Sequence, residues 1–120
     1  EETGGVSAIA RLADRFQDLS WIIAHAGTDW DFAEEVVACI QQHQNVYAEI
    51  TFTTVTNRCV EFLVESTDED HIIFGTDQPM RDPRPQLGWV VWSDLSVEAK
   101  EKVLGRNFQR ILDRVRMPVV

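Results

Sequence analysis

The sequence predicts an α/β fold: three consecutive βα units sharing one parallel sheet, followed by C-terminal helices. Three observations carry that expectation. Helical and strand-like patterns alternate along the chain. The strand-like cores start at Trp21, Val46 and Ile72, a step of about 25 residues. The first, from Trp21, is a short continuous apolar run, as in a strand buried on both faces. A strand, a helix and a second strand at that spacing form a crossover, which makes the strands parallel.

The elements follow in order. From Val6 to Phe16, Val6, Ile9, Ala10, Ala13 and Phe16 recur on one face of a helix. Trp21 to Gly27 forms the first strand. Asp29 or Asp31 can cap a second helix with the stripe Phe32, Val36, Cys39 and Ile40. Asn45 to Thr51 is the second strand. Thr54 can cap a third helix with Val55, Cys59, Phe62 and Leu63 inward. His71 to Thr76 is the third strand, and Asp77 follows it directly. A Pro-rich loop, Pro79 to Pro85, leads to an amphipathic piece, Leu87 to Leu95. Ser96 caps a helix carrying Val97, Val103 and Leu104, which Gly105 is expected to stop. Asn107 can cap a final helix with Phe108, Ile111, Leu112 and Val115. No linker interrupts residues 1–120, which read as one unit.

Composition narrows the function. At 120 residues with 44% hydrophobic content, the chain suits one packed domain. Its longest apolar runs are about four residues, far short of the roughly 20 of a spanning helix. No basic segment followed by an apolar one opens the chain, so no signal peptide is expected. Glu1 in place of Met fits a processed, trimmed or fragmentary start. The net charge of −9 disfavours nucleic acid and anionic membranes as partners. A small anionic substrate stays open, because salt screens a distant acidic surface beyond about 8–10 Å. Cys39 and Cys59 fall at apolar helical positions and read as reduced thiols of a cytoplasmic protein.

In parallel α/β folds the ligand lies at the carboxyl ends of the strands. Those ends carry His25-Ala26-Gly27, Glu49-Ile50-Thr51 and Gly75-Thr76-Asp77. Strand alternation puts Trp21 and Ile23 on the side of His25, Tyr47, Glu49 and Thr51 together, and Ile73 and Gly75 with Asp77. The first and third strands would lie about 9–10 Å apart, within reach of a shared ion or water.

His-Ala-Gly at the end of the first strand and Ile-Ile-Phe-Gly-Thr-Asp-Gln-Pro-Met at the end of the third resemble the amidohydrolase-related family of metal-dependent hydrolases, lactonases and nonoxidative decarboxylases. Leu12-Ala13-Asp14-Arg15-Phe16, Asn45-Val46-Tyr47 and the tail from Leu95 to Asn107 share that resemblance. It implies the sixth, seventh and eighth units of an eight-stranded, TIM-barrel-like βα barrel, present here as a partial barrel. It also implies that Asp77 is a ligand of a divalent metal, zinc or else manganese. His25 is then the catalytic histidine that polarises or deprotonates water or substrate, close enough to be counted with the metal site. The family's His-x-His or Glu-x-His pair and the histidine ending its fifth strand have no counterpart. His43 reads as solvated and His71 as structural.

Each candidate also has a plainer role. Asp77 could cap a turn before Pro79, and His25 could bond a core carbonyl. Glu49 is an ion-pair partner or a functional acid. Trp30, after Asp29 in the loop beyond His25, could line a pocket. Arg81 and Arg84 could hold a substrate carboxylate bidentately or face solvent. Met80 and Trp89 could line the pocket or pack in the core.

The expected function is metal-assisted hydrolysis of a small carboxylated or cyclic ester or amide substrate, with decarboxylation at the same site as a variant. The alternative is a non-catalytic fragment or remnant. Three strands cannot close a barrel, so a homo-oligomer, a pairing with the missing barrel or a rearranged open sheet is expected. A doubly wound nucleotide-binding domain would need a Gly-x-Gly-x-x-Gly loop, which the sequence lacks.

Overall fold

A computed structural model describes residues 5–52 and 54–115. The elements are α1 (Val6–Arg15), β1 (Trp21–Ile23), α2 (Trp30–Gln42), β2 (Val46–Glu49), α3 (Cys59–Ser66), β3 (Ile72–Ile73), α4 (Arg84–Val91), α5 (Val97–Glu101), a wide π-helical turn (Lys102–Arg106) and α6 (Asn107–Arg114). The three strands pair in parallel in the order β1-β2-β3, and the sheet does not close into a barrel. Among the described residues no helix is long and apolar enough to cross a membrane.

Register decides which residues meet. Trp21 lies beside Val46, and Ile23 beside Ala48, which in turn lies beside Ile72. This face carries the main core, where Val36, Ile40, Val60 and Leu63 of α2 and α3 cover it. Ile22 lies beside Tyr47, and Glu49 beside Ile73, on the opposite face. There Tyr47 and Ile73 pack on Ile111 of α6. Tyr47, Glu49 and Ile73 therefore share a face, as alternation requires. The expectation for the first strand is corrected: Trp21 and Ile23 belong to the helix-covered side, and Ile22 takes the other. The strands are also shorter than expected, ending at Ile23, Glu49 and Ile73.

Local chemistry explains most helix boundaries. Asp29 caps α2 by accepting from the Phe32 N–H at 2.9 Å, so Asp29 rather than Asp31 is the cap. Ser96 caps α5 by accepting from the Ala99 N–H at 3.0 Å. Thr54 does not cap α3, which starts at Cys59 after Arg58 in a left-handed conformation (φ 59°). Val55 is consequently exposed.

Gly105 does not stop its helix either. The chain continues through the π-helical turn into α6, with Asn107 helical rather than capping. Asn107 is fully buried and its Nδ2 donates to Glu69 O at 2.7 Å and Ile72 O at 2.8 Å, tying α6 to β3. Val97, expected inward, is 74% exposed, and Phe108, Leu112 and Val115 are exposed as well.

Candidate active site

The carboxyl end of β1 is a turn. After Ile23 the chain leaves the strand, and His25 adopts a left-handed backbone (φ 63°). The turn closes through the Thr28 N–H and hydroxyl, which donate to His25 O at 3.0 and 2.6 Å. The Ala26 N–H returns to Glu49 O at 2.8 Å. The turn reverses the strand's phase, which brings His25 to the Glu49 side although Trp21 and Ile23 point elsewhere.

His25 Nδ1 lies 2.6 Å from Thr51 O. A carbonyl can only accept, so Nδ1 carries the proton and Nε2 keeps the lone pair when the ring is neutral. The ring meets Phe52 edge-on, with centroids 5.4 Å apart.

The end of β3 is built similarly. Asp77 has φ 58°, and its carbonyl accepts from the Met80 and Arg81 N–H groups at 2.9 and 3.2 Å. Its Oδ2 accepts from Arg81 Nε at 2.9 Å. The Arg81 guanidinium then lies over the Phe52 ring, 5.2 Å from its centroid. Phe52 therefore touches both His25 and Arg81, and Arg81 holds Asp77. His25, Asp77 and Arg81 are all half-buried and joined across the middle strand end.

The other named residues lie apart from this chain of contacts. Trp30 is exposed at the start of α2 and packs edge-on against Phe62, centroids 5.2 Å apart. Arg84 is exposed and its fork is taken by Asp82, whose carboxyl those hydrogen bonds hold down at about 2. Met80 is 73% exposed. Trp89 is buried and presses on the His25 turn: a Cβ at Gly27 would sit 3.1 Å from its Cζ3.

His43 is half-buried and bonds Cys39 O, and His71 is buried at the opposite end of the sheet against Asp68. Phe52 and Gly75 were missed from sequence. Phe52 gave no signal as a lone aromatic in a loop, whereas Gly75 stood two residues before Asp77 at a strand end.

A catalytic zinc takes three protein ligands and a water. Among the described residues no group of three His, Cys, Asp or Glu side chains could hold a metal ion. Asp77 offers one carboxylate already bonded by Arg81. The donors present do not by themselves make a metal centre.

The structure is an open parallel βα sheet of barrel type, with a histidine and an aspartate just past the ends of its two outer strands. The chain belongs to the amidohydrolase family, which its sequence matches over residues 2–114. Its fold is similar to that of an uncharacterised TIM-barrel protein from Bordetella bronchiseptica, at a TM-score of 0.73 and 22% identity over 90% of this chain. It is also similar to 5-carboxyvanillate decarboxylase from Sphingomonas paucimobilis, at a TM-score of 0.64 and 14% identity over 89% of this chain. A 2,6-dihydroxybenzoate decarboxylase in complex with 2,6-dihydroxybenzoate follows at 0.63 and 15% over 90%. The chain spans 39%, 39% and 41% of those three structures. No curated protein matches it.

Proposed function

We propose that this chain supplies the C-terminal strand ends of a metal-dependent hydrolase site, with His25 as general base and Asp77 as one carboxylate of the site. One observation carries the reading. His25 and Asp77 both hold left-handed backbone just past a strand end, and both lead to the Phe52–Arg81 pair. Non-glycine residues in that region are uncommon and cost about 1 kcal/mol or more, and such residues gather where side chains must be aimed.

The chemistry of His25 follows from its tautomer. With Nδ1–H given to Thr51 O, Nε2 can take the proton of an attacking water. In a decarboxylation the same nitrogen, once protonated, would return a proton to the carbon that loses carbon dioxide. The two decarboxylases of similar fold favour that variant. The substrate is a small carboxylated or cyclic ester or amide molecule, and Arg81 supplies the cation nearest to Asp77 that could attract a carboxylate. Arg84 and Trp30, which lie apart from these contacts, are further candidates for binding the substrate in this reading.

The cofactor is a divalent metal, zinc or else manganese, whose remaining ligands come from outside the described residues. Association with the rest of a barrel or with a second copy would complete the site. Two free, buried thiols support a cytoplasmic setting. The second reading, a non-catalytic fragment, is favoured by the open sheet and the incomplete ligand set.

The test uses the protein isolated from its cells, with bound metal measured by mass spectrometry and turnover on lactones and hydroxybenzoic acids. His25→Gln should keep the metal and lose about 10²- to 10⁴-fold in turnover. Asp77→Ala should lower the metal content. Unchanged turnover in His25→Gln would remove His25 from the chemistry. A metal-free, inactive wild-type protein would establish the fragment reading.

A further inference from the structure

We infer that Glu49, seated in a notch that glycine leaves open at position 75, is a positioning residue that sets the orientation and tautomer of His25. The inference deepens the proposed function and rests on it for any effect on turnover. Residue 49 grips two consecutive amides of the His25 turn. Its carbonyl accepts from the Ala26 N–H at 2.8 Å, and its Oε2 accepts from the His25 N–H at a long 3.5 Å. Its Oε1 accepts from the Thr51 N–H at 2.8 Å and from the Thr51 hydroxyl. Thr51 then presents its own carbonyl to His25 Nδ1 at 2.6 Å.

The loop is closed: Glu49 holds Thr51, Thr51 holds the His25 ring, and Glu49 holds the His25 backbone. Both carboxylate oxygens face backbone donors, Oε1 the Thr51 N–H and Oε2 the His25 N–H. The carboxylate needs room, and β3 provides it. A Cβ at Gly75 would lie 2.6 Å from Glu49 Cδ and closer still to Glu49 Oε1 and Thr51 Oγ1. Real Cβ atoms do not approach so closely, so a side chain at position 75 would push these side-chain ends from their places. Glycine at position 75 thus leaves open the room in which the carboxylate sits. It links the strand that ends in Asp77 to the ring of His25 through one side chain of the strand between them.

The isosteric Glu49→Gln variant keeps the volume but turns an NH2 group towards either His25 N–H or the Thr51 donors. Gly75→Ala keeps the carboxylate but fills its seat. Both should release the Thr51 carbonyl from His25. Long-range proton–nitrogen NMR on the ¹⁵N-labelled, metal-free 120-residue chain at pH 8 reads the tautomer directly. The wild type should show His25 protonated at Nδ1, and both variants should lose that signature in favour of Nε2–H or a tautomer mixture. Glu49→Asp, which keeps the charge, should restore part of it.

A folded Glu49→Gln or Gly75→Ala chain with the wild-type His25 pattern would overturn the inference. Failure of both variants to fold, judged by circular dichroism, would overturn it too, by making the notch a stability element. In an active protein the two variants should lower kcat about 10- to 100-fold with KM little changed, the usual scale for a group that orients a functional histidine. Turnover that survives in wild type and variants alike would sink the base assignment while the NMR pattern still decides the positioning role.

Discussion

At the residue scale the cysteines show how burial and local charge set reactivity away from the site. Cys59 is fully buried, and burial, followed by the nearby charges of Asp29 and Glu61, pushes its thiol from an ordinary 9.0 up to about 11. Burial and then Asp14 raise Cys39 as well. Neither thiol is a nucleophile near neutral pH. The linkage has a definite sign. Between pH 9 and about 11 the unfolded chain has lost the Cys59 proton while the folded chain keeps it. The folded state binds more protons there, so stability falls as pH rises. The rise from 9.0 to about 11 corresponds to roughly 2–3 kcal/mol, all of it present below pH 9 and gone above about 11. Urea denaturation should show wild type losing stability over that window relative to Cys59→Ala, with other titrations cancelling in the comparison. Parallel pH curves for the two proteins would mean that the folded thiol ionises like a free one.

At the scale of elements, Asn107 carries more than its place in a helix suggests. Its amide saturates two buried carbonyls next to β3, and Arg110 Nη2 donates to its Oδ1 at 3.1 Å. Asn107→Ala removes both donated bonds and strands the carbonyls, which should cost about 2–4 kcal/mol. Chemical denaturation measures this directly, and a loss under about 1 kcal/mol would show that water takes over both carbonyls. The same residue marks where sequence reading ran out. An asparagine after a glycine reads as the start of a new helix, since both types favour boundaries. Here a tertiary partner outweighs local preference: the wide turn over Lys102–Arg106 carries the helix past Gly105 and delivers Asn107 to the sheet. The start of α3 was illegible for a similar reason. Thr56 gives its hydroxyl to Gly27 O and Thr28 O at 3.0 and 3.2 Å, so the segment before Cys59 is tied to the His25 turn. By contrast α1, α2 and the strand order were readable, because apolar periodicity and the crossover step depend on the chain alone. The site was half legible. His25 and Asp77 stand at strand ends that apolar runs locate, but the turn that re-aims His25 and the seating of Glu49 against Gly75 arise only when strands pair.

At the scale of the whole molecule the unanswered feature is an edge. Among the described residues β1 pairs only with β2, so its outer side is a sheet edge at Ile22. Beside that edge lies a groove of about 250 Å³ lined by Val6, Ile9, Ile22 and Phe32 among others. A groove whose floor is a strand edge and whose walls are apolar suits an added strand, since backbone bonds and side-chain burial then act together. Fewer than half of the residues of the matched barrels are represented here, and their additional strands are what an open edge would otherwise meet. On the association proposed above, sedimentation velocity of the isolated chain should show species larger than a monomer. Ile22→Lys should shift the distribution to monomer, because a charge on an edge strand opposes pairing and Ile22 is only 39% exposed on the free chain. Folding should survive, since Ile22 lies outside the main core. A wild-type chain that sediments as a monomer at all concentrations would mean that the edge is protected by the chain's own loops, and the case for strand addition would end.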